Sequence, residues 1–211
     1  MAEVSNPHDR FFREVLADAG AARDFVENYL PAEVSALLDP ASLEVAKDSF
    51  VDPGLGAHYA DLLYSVTLRS GAAAYVYLLF EHKSHPEPWV ALDVLRYLVR
   101  IWELALKQGH SGPLPPIIPV VFYHGRQTWR VPVAFGSLFE PPEPLADYVP
   151  AFRYELCDLS RYTDAELKGA VQFRAAMLLM KHIFREDLGH RLPEILRLLW
   201  ESCQEKTALD H

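Results

Sequence analysis

YADLLYSVTLR at Tyr59–Arg69, the pair Ser70-Gly71, and AYVYLLFEHK at Ala74–Lys83 form one run whose reading decides the fold. In the first segment Leu62, Tyr64, Val66 and Leu68 alternate on one side, the period of two expected of a strand with a buried face. The second segment is aromatic and β-branched along its length and reads as a buried strand. Ser70-Gly71 between them has the composition of a tight hairpin turn. With the turn centred near Gly71, cross-strand partners have positions that sum to about 142, and Asp61 and Glu81 satisfy that sum. Two carboxylates are therefore expected opposite each other on adjacent strands, where Cβ atoms stand about 4.5–5.5 Å apart. Such like charges repel unless a cation lies between them. Lys83 follows Glu81 by two residues and shares its face. The inference hangs on register, since a slip of one residue would send Asp61 to the other side.

Two acids and a lysine converging at a sheet edge are what metal-assisted phosphodiester cleavage requires. The acids offer hard oxygen ligands to a divalent ion such as Mg²⁺, with Ca²⁺ or Mn²⁺ as alternatives. The ion polarises the scissile phosphate and lowers the pKa of a bound water. Lys83 can orient or deprotonate that water, or stabilise charge building at phosphorus. A structural reading stands beside this one: Asp61 as an edge-strand charge, and Glu81-His82-Lys83-Ser84 as the solvated end of a strand. His82 alternates with Glu81 and Lys83 and is expected to face away from them, whereas Ser84 returns to their face.

Outward from the hairpin, apolar residues from His8 to Tyr29 recur at helical spacing and Pro31 stops the run, with Gly20 expected to break it into two helices. A short helix is expected at Pro31–Leu38 and a first strand at Leu43–Val51, followed by a loop at Asp52-Pro53-Gly54. Pro86–Gly109 reads as a long amphipathic helix. Gly112–Pro116 is a Pro-rich connector into a buried fourth strand, Ile117–Tyr123. Residues 126–162 lack a clear period, so irregular structure is expected with a short strand near Phe152–Leu156. Helices resume at Thr163–Arg185, where Thr163-Asp164 is the cap, and at Leu188–Glu201. This order gives an α/β fold, a mixed central sheet flanked by helices with further helices at the C-terminus.

The 211 residues suit a single domain over residues 1–205, with a core over about 7–125 and a C-terminal helical part over about 160–203. Half the residues are hydrophobic, enough for a real core. No apolar run reaches the roughly 18 residues of a membrane helix, and MAEVSNPHDR lacks a basic segment followed by an apolar one. A cytoplasmic location follows, with no membrane partner. Cys157 and Cys203 are read as free thiols, since two cysteines in no metal-binding spacing define no framework. A net charge of −9 argues against coating nucleic acid by bulk electrostatics, but an enzyme needs only a local basic rim. Neither G-x-S-x-G, H-E-x-x-H nor a P-loop is present, and nothing calls for an organic cofactor.

NPHDRFFREVL at 6–16, SFVDPGLGAHYADLLYSV at 49–66, LLFEHKSHPEPWVALDVLRYLVRIW at 78–102 and PLPPIIPVVFYHG at 113–125 resemble the recombination-promoting nuclease/putative transposase proteins of bacteria. The resemblance covers roughly residues 7–200. It implies a PD-(D/E)XK (restriction-endonuclease-like) core and a divalent-metal-dependent DNA endonuclease, tied to recombination, mobile elements or defence. It assigns the metal-binding acids to Asp61 and Glu81 and the superfamily's lysine to Lys83. Many members carry glutamine there, whereas this chain has the full E-x-K form. It also places the first helix beside the site, making Glu14 and Asp9 accessory candidates, although Asp9 also suits a helix cap and His8 a loop. Arg96, on the helix after the catalytic strand, is a candidate for a bidentate phosphate contact or a solvated helix face. His124 is expected to hold a structural hydrogen bond. DNA is the expected partner, and a homodimer is compatible. The alternative is a catalytically silent DNA- or protein-binding module on a nuclease fold.

Overall fold

The computed structural model describes residues 7–46, 62–81 and 86–209. Its hairpin consists of β2 (Leu62–Leu68) and β3 (Ala73–Glu81), paired antiparallel. Leu62, Tyr64 and Val66 are buried on one face and Leu63 on the other, as the alternation predicts. The turn differs from the expectation. Partners run from Leu62 with Leu78 to Thr67 with Ala73, so positions sum to 140 and not 142. The cause is a three-residue loop, Arg69–Gly71, in place of a two-residue turn: the Leu68 N–H donates to the Ala72 carbonyl at 2.7 Å and the Gly71 N–H to the Leu68 carbonyl at 2.8 Å. Gly71 has φ of 89°, the left-handed conformation that closes such loops and that a side chain resists. A shift of two keeps odd and even positions on their faces but moves every cross-strand opposition. Asp61 lies outside the described residues, as do the 52–54 loop, His82, Lys83 and Ser84.

β1 (Leu38–Val45) joins the free edge of β2, while β4 (Ile117–Tyr123) and β5 (Glu155–Asp158) continue from β3 in parallel. The sheet is therefore mixed, in the order β1-β2-β3-β4-β5. β4 has the bounds its sequence predicts. β1 begins five residues earlier than expected, and the helix before it, α3, is only Ala32–Ser35. The register shifts between Asp39 and Glu44, and this edge bulge accommodates Pro40. There Ser42 Oγ donates to the Asp39 carbonyl at 2.7 Å and accepts the Thr67 N–H at 2.8 Å, so a side chain replaces a ladder carbonyl.

α1 (Pro7–Leu16) and α2 (Ala19–Tyr29) divide at Ala17-Asp18 and not at Gly20, because Asp18 Oδ1 accepts the Ala21 N–H at 3.0 Å and caps α2. α4 (Val90–Lys107) is the crossover that parallel pairing of β3 and β4 requires. The expected helix from Thr163 is interrupted. Its cap opens only a 3-10 turn, Asp164–Glu166, and α5 (Val171–His182) starts after Ala170, whose N–H donates to Asp24 Oδ2 of α2 at 2.7 Å. α6 (Leu188–Leu209) closes the described chain. Even-numbered residues of the inner strands pack with α1, α2 and α5, where Phe12 meets Phe122 at 4.1 Å. Odd-numbered ones pack with α4 and with Trp129, Phe135 and Tyr154. Among the described residues no helix is long and apolar enough to cross a membrane.

Candidate functional site

β3, β4 and β5 run parallel, so their carboxyl ends share one edge, the side of an open α/β sheet where ligands bind. The ladder sets Glu81 beside Tyr123 and Tyr123 beside Asp158. With strands about 4.8 Å apart, the Glu81 and Asp158 backbones lie roughly 10 Å from each other. Of the acidic and basic sequence candidates among the described residues, Glu81 is the one the fold puts at this edge, as the last residue of β3. Its expected partners Asp61 and Lys83 fall outside the described residues, as does the accessory Ser84.

Asp158 is a member of this edge that the sequence did not single out. Its side chain is 1% exposed. Oδ1 accepts the Ser160 N–H at 2.9 Å, and Oδ2 accepts the Trp129 N–H at 3.3 Å and stands 3.5 Å from Arg161 Nε. One carboxylate therefore ties the loop after β4 to the turn after β5 and holds a guanidinium beside both. Trp129 is the other anchor. It is buried, its ring meets Tyr123 at 5.0 Å and Tyr154 at 6.4 Å, and its Nε1 donates to the Val131 carbonyl at 2.9 Å. Gly125 allows the loop to fold back over Tyr123: a Cβ there would lie 2.1 Å from the phenol oxygen. The sequence signal for Asp158 was Asp-Leu-Ser, an acid two residues before an N–H it can cap.

Glu14 is exposed on α1 and pairs with Arg10 at 2.9 Å. Asp9 belongs to the same helix. Arg96 is 61% exposed on α4 and pairs with Asp93 at 2.9 Å, one turn back on its own helix. His124 is buried and stacks on Phe184 at 5.0 Å. Cys157 is a free thiol; burial, and then the neighbouring Asp158, push its pKa up, so it stays protonated at neutral pH. Among the described residues, no three His, Cys, Asp or Glu side chains group to hold a metal ion.

A second charged cluster lies between α5 and α6. Asp164 pairs with Lys181, and its two oxygens lie 3.0 Å from His182 Nε2. His182 Nδ1 faces Asp187 Oδ1 at 3.3 Å, and Arg191 stands 3.7 Å from Asp187. Lys181 and His182 are both buried. Burial alone would raise the Asp164 pKa, but hydrogen bonds from Lys181 and His182 outweigh it and hold the carboxyl below its usual range.

With this geometry in place, comparison with known proteins assigns the chain. A match to the family described as "Putative transposase, YhgA-like" spans residues 6–209, and the chain belongs to that family. It is 32% identical over 201 residues to Recombination-promoting nuclease RpnC of Escherichia coli (strain K12), covering 95% of this chain and 66% of that protein. It is 32% identical over 203 residues to Recombination-promoting nuclease RpnD of Escherichia coli O157:H7, covering 95% and 76%. It is also 31% identical over 197 residues, 93% of this chain and 65% of the relative, to the protein of strain K12 named Inactive recombination-promoting nuclease-like protein RpnE. The chain thus spans about two thirds of the length of RpnC and RpnE. No solved structure matches it.

Proposed function

We propose that this chain is a divalent-metal-dependent DNA endonuclease with a PD-(D/E)XK-type core, centred on Asp61, Glu81 and Lys83. The observation that carries the reading is the position of Glu81 at the shared carboxyl edge of three parallel strands, with His82-Lys83 following in sequence. Membership of a family whose relatives are named recombination-promoting nucleases supports it. Residues 1–205 are read as one unit, because α5 and Ile195 of α6 share a buried cluster with α1, α2 and the sheet. The location proposed is the cytoplasm, where a bacterial enzyme of this kind meets DNA. In a homodimer one centre would serve each strand of a duplex.

The donor set fits a hard cation, since Asp61 and Glu81 offer only carboxylate oxygens. Such an ion, when bound, supplies charge neutralisation at the scissile phosphate and a water of lowered pKa. The role assigned to Lys83 is to orient that water or to stabilise the developing negative charge by a charge-assisted hydrogen bond. Glu14, Asp9, Ser84 and Arg96 stay accessory.

The test is plasmid nicking or linearisation by purified protein with Mg²⁺, Mn²⁺ or Ca²⁺, with a chelator as control. Cleavage should vanish with chelation and in Asp61→Ala and Glu81→Ala, and fall by about 10²-fold or more in Lys83→Ala. DNA left whole with every ion tried would overturn the proposal. A second reading, a silent DNA- or protein-binding module, is favoured by the relative named inactive at nearly the same identity. Its mark is DNA binding without strand scission and unaffected by Asp61→Ala.

A further inference from the structure

The chain carries a net charge of −9, yet the loop after β4, at the Glu81 edge, runs against that balance. Residues 124–134, after β4, hold Arg126 and Arg130 and no acid, and the turn after β5 holds Arg161. Acidic residues Glu140, Glu143 and Asp147 come only on the path back toward the start of β5. Arg126 and Arg130 are exposed. Arg161 is 61% exposed, with Nε on Asp158 and Nη2 donating to the Trp129 carbonyl at 3.5 Å. A guanidinium has five N–H donors, so this arginine is oriented while most of its donors stay available.

We propose that Arg126, Arg130 and Arg161 form a phosphate-binding rim, held in place by Asp158 and Trp129, that takes the sugar–phosphate backbone of DNA passing the Glu81 edge. Three features support it. The arginines come from two loops that a buried carboxylate and a buried indole fix to each other, so the rim is organised before DNA arrives and ordering it costs little. Arginine matches phosphate in a bidentate fork. Finally, a nuclease with an acidic overall charge needs a local cationic surface to hold its substrate against the field of its own acids. The proposal deepens the nuclease reading by naming what grips the substrate, and binding can be measured apart from cleavage.

The experiment is fluorescence anisotropy of a labelled mixed-sequence 20-base-pair duplex, and of the matching single strand, titrated with full-length protein in EDTA at several salt concentrations. The rim variant is Arg126→Ala with Arg130→Ala. The control is Arg69→Ala with Lys107→Ala, which removes the same charge from exposed positions at the opposite end of β3 and α4. Two lost phosphate contacts should make the plot of log affinity against log salt shallower by about 1.8 on a duplex or 1.4 on a single strand. Affinity near 0.1 M salt should fall by at least roughly tenfold. The control should follow wild type. Arg161→Ala should weaken binding in the same direction, with thermal unfolding checked alongside. Equal losses in rim and control variants, or no binding of either probe by wild type, would overturn the rim. Intact cleavage with an unaffected rim variant would sink this inference and spare the nuclease reading. Rim-dependent binding without cleavage under any ion would do the reverse.

Discussion

Asp158 and Asp164 stand six residues apart and satisfy their charge by different means. Asp158 is sealed from solvent and meets two main-chain N–H groups, from Ser160 and Trp129, with Arg161 at its rim. Asp164 is about one-third exposed and meets side chains, Lys181 and His182, that are themselves buried. The first carboxylate therefore fixes backbone, and through it the loops at the Glu81 edge. The second pairs the buried Lys181 ammonium and meets the His182 ring between α5 and α6. One arrangement shapes a surface and the other holds helices together. Removing each should accordingly be felt in different measurements.

Asp164→Ala should cause the larger loss of stability. It leaves Lys181 without its partner in a buried site and His182 with one partner fewer, and breaking a buried pair costs about 3–5 kcal/mol. The partial exposure of Asp164 lowers the expectation to roughly 2–4 kcal/mol. Urea unfolding reads it, and DNA affinity of the folded variant should stay at the wild-type value. Asp158→Ala should cost about 2 kcal/mol by orphaning two N–H groups, and it should also weaken DNA binding because Arg161 loses its anchor. If the two variants lost DNA affinity equally, the division between surface and latch would fail.

Gly125→Ala tests the Asp158 side from the loop after β4. The added Cβ would meet the phenol of Tyr123, which is fully buried. Overpacking of this kind costs about 1–3 kcal/mol, and here it should shift the loop that carries Arg126. The measurement is unfolding together with anisotropy on the duplex. A stability loss with unchanged DNA binding would separate loop packing from the rim.

Acid titration sharpens the Asp164 side. Its folded pKa lies below the unfolded value near 4, so its contribution is present above that value and is lost as pH falls through the folded one. Asp164→Asn should flatten the acid limb of stability below about pH 4 relative to wild type. Unfolding midpoints measured between neutral pH and pH 3 check this, and an unchanged slope would remove Asp164 from the latch.

Much of this framework was legible in the residues, and the misses have physical causes. Ile117–Tyr123 is an unbroken buried run and its bounds follow from hydrophobicity alone. The faces of β2 follow from parity, which a register shift of two leaves intact. The shift itself was hidden because Ser70-Gly71 suits both a two-residue turn and the end of a three-residue loop, and only the pairing, with Leu68 opposite Ala72, separates them. Pro40 concealed the start of β1, since a bulge that admits proline has no composition of its own. Glu81 was legible because it ends an apolar strand. Asp158 was not, because its meaning lies in partners 29 residues back and two and three ahead. A Trp129–Asp158 contact exists only once β4 and β5 are paired.

Ser160→Ala is the smallest change and isolates how Asp158 acts. The carboxylate takes the Ser160 main-chain N–H, and the hydroxyl plays no part in that bond. Ser160 Oγ is buried and bonded to no group among the described residues. Deleting it removes a desolvated polar atom and keeps the N–H that Asp158 needs, so stability should stay within about 0.5 kcal/mol of wild type and the salt slope of DNA binding should not move. Ser160→Pro is the informative companion. It deletes the N–H and keeps the chain continuous, and should reproduce part of the Asp158→Ala loss in both unfolding and anisotropy. A large effect of the alanine would mean that the hydroxyl, and not the main chain, carries the contact, and the contrast with the side-chain pairing at Asp164 would then disappear.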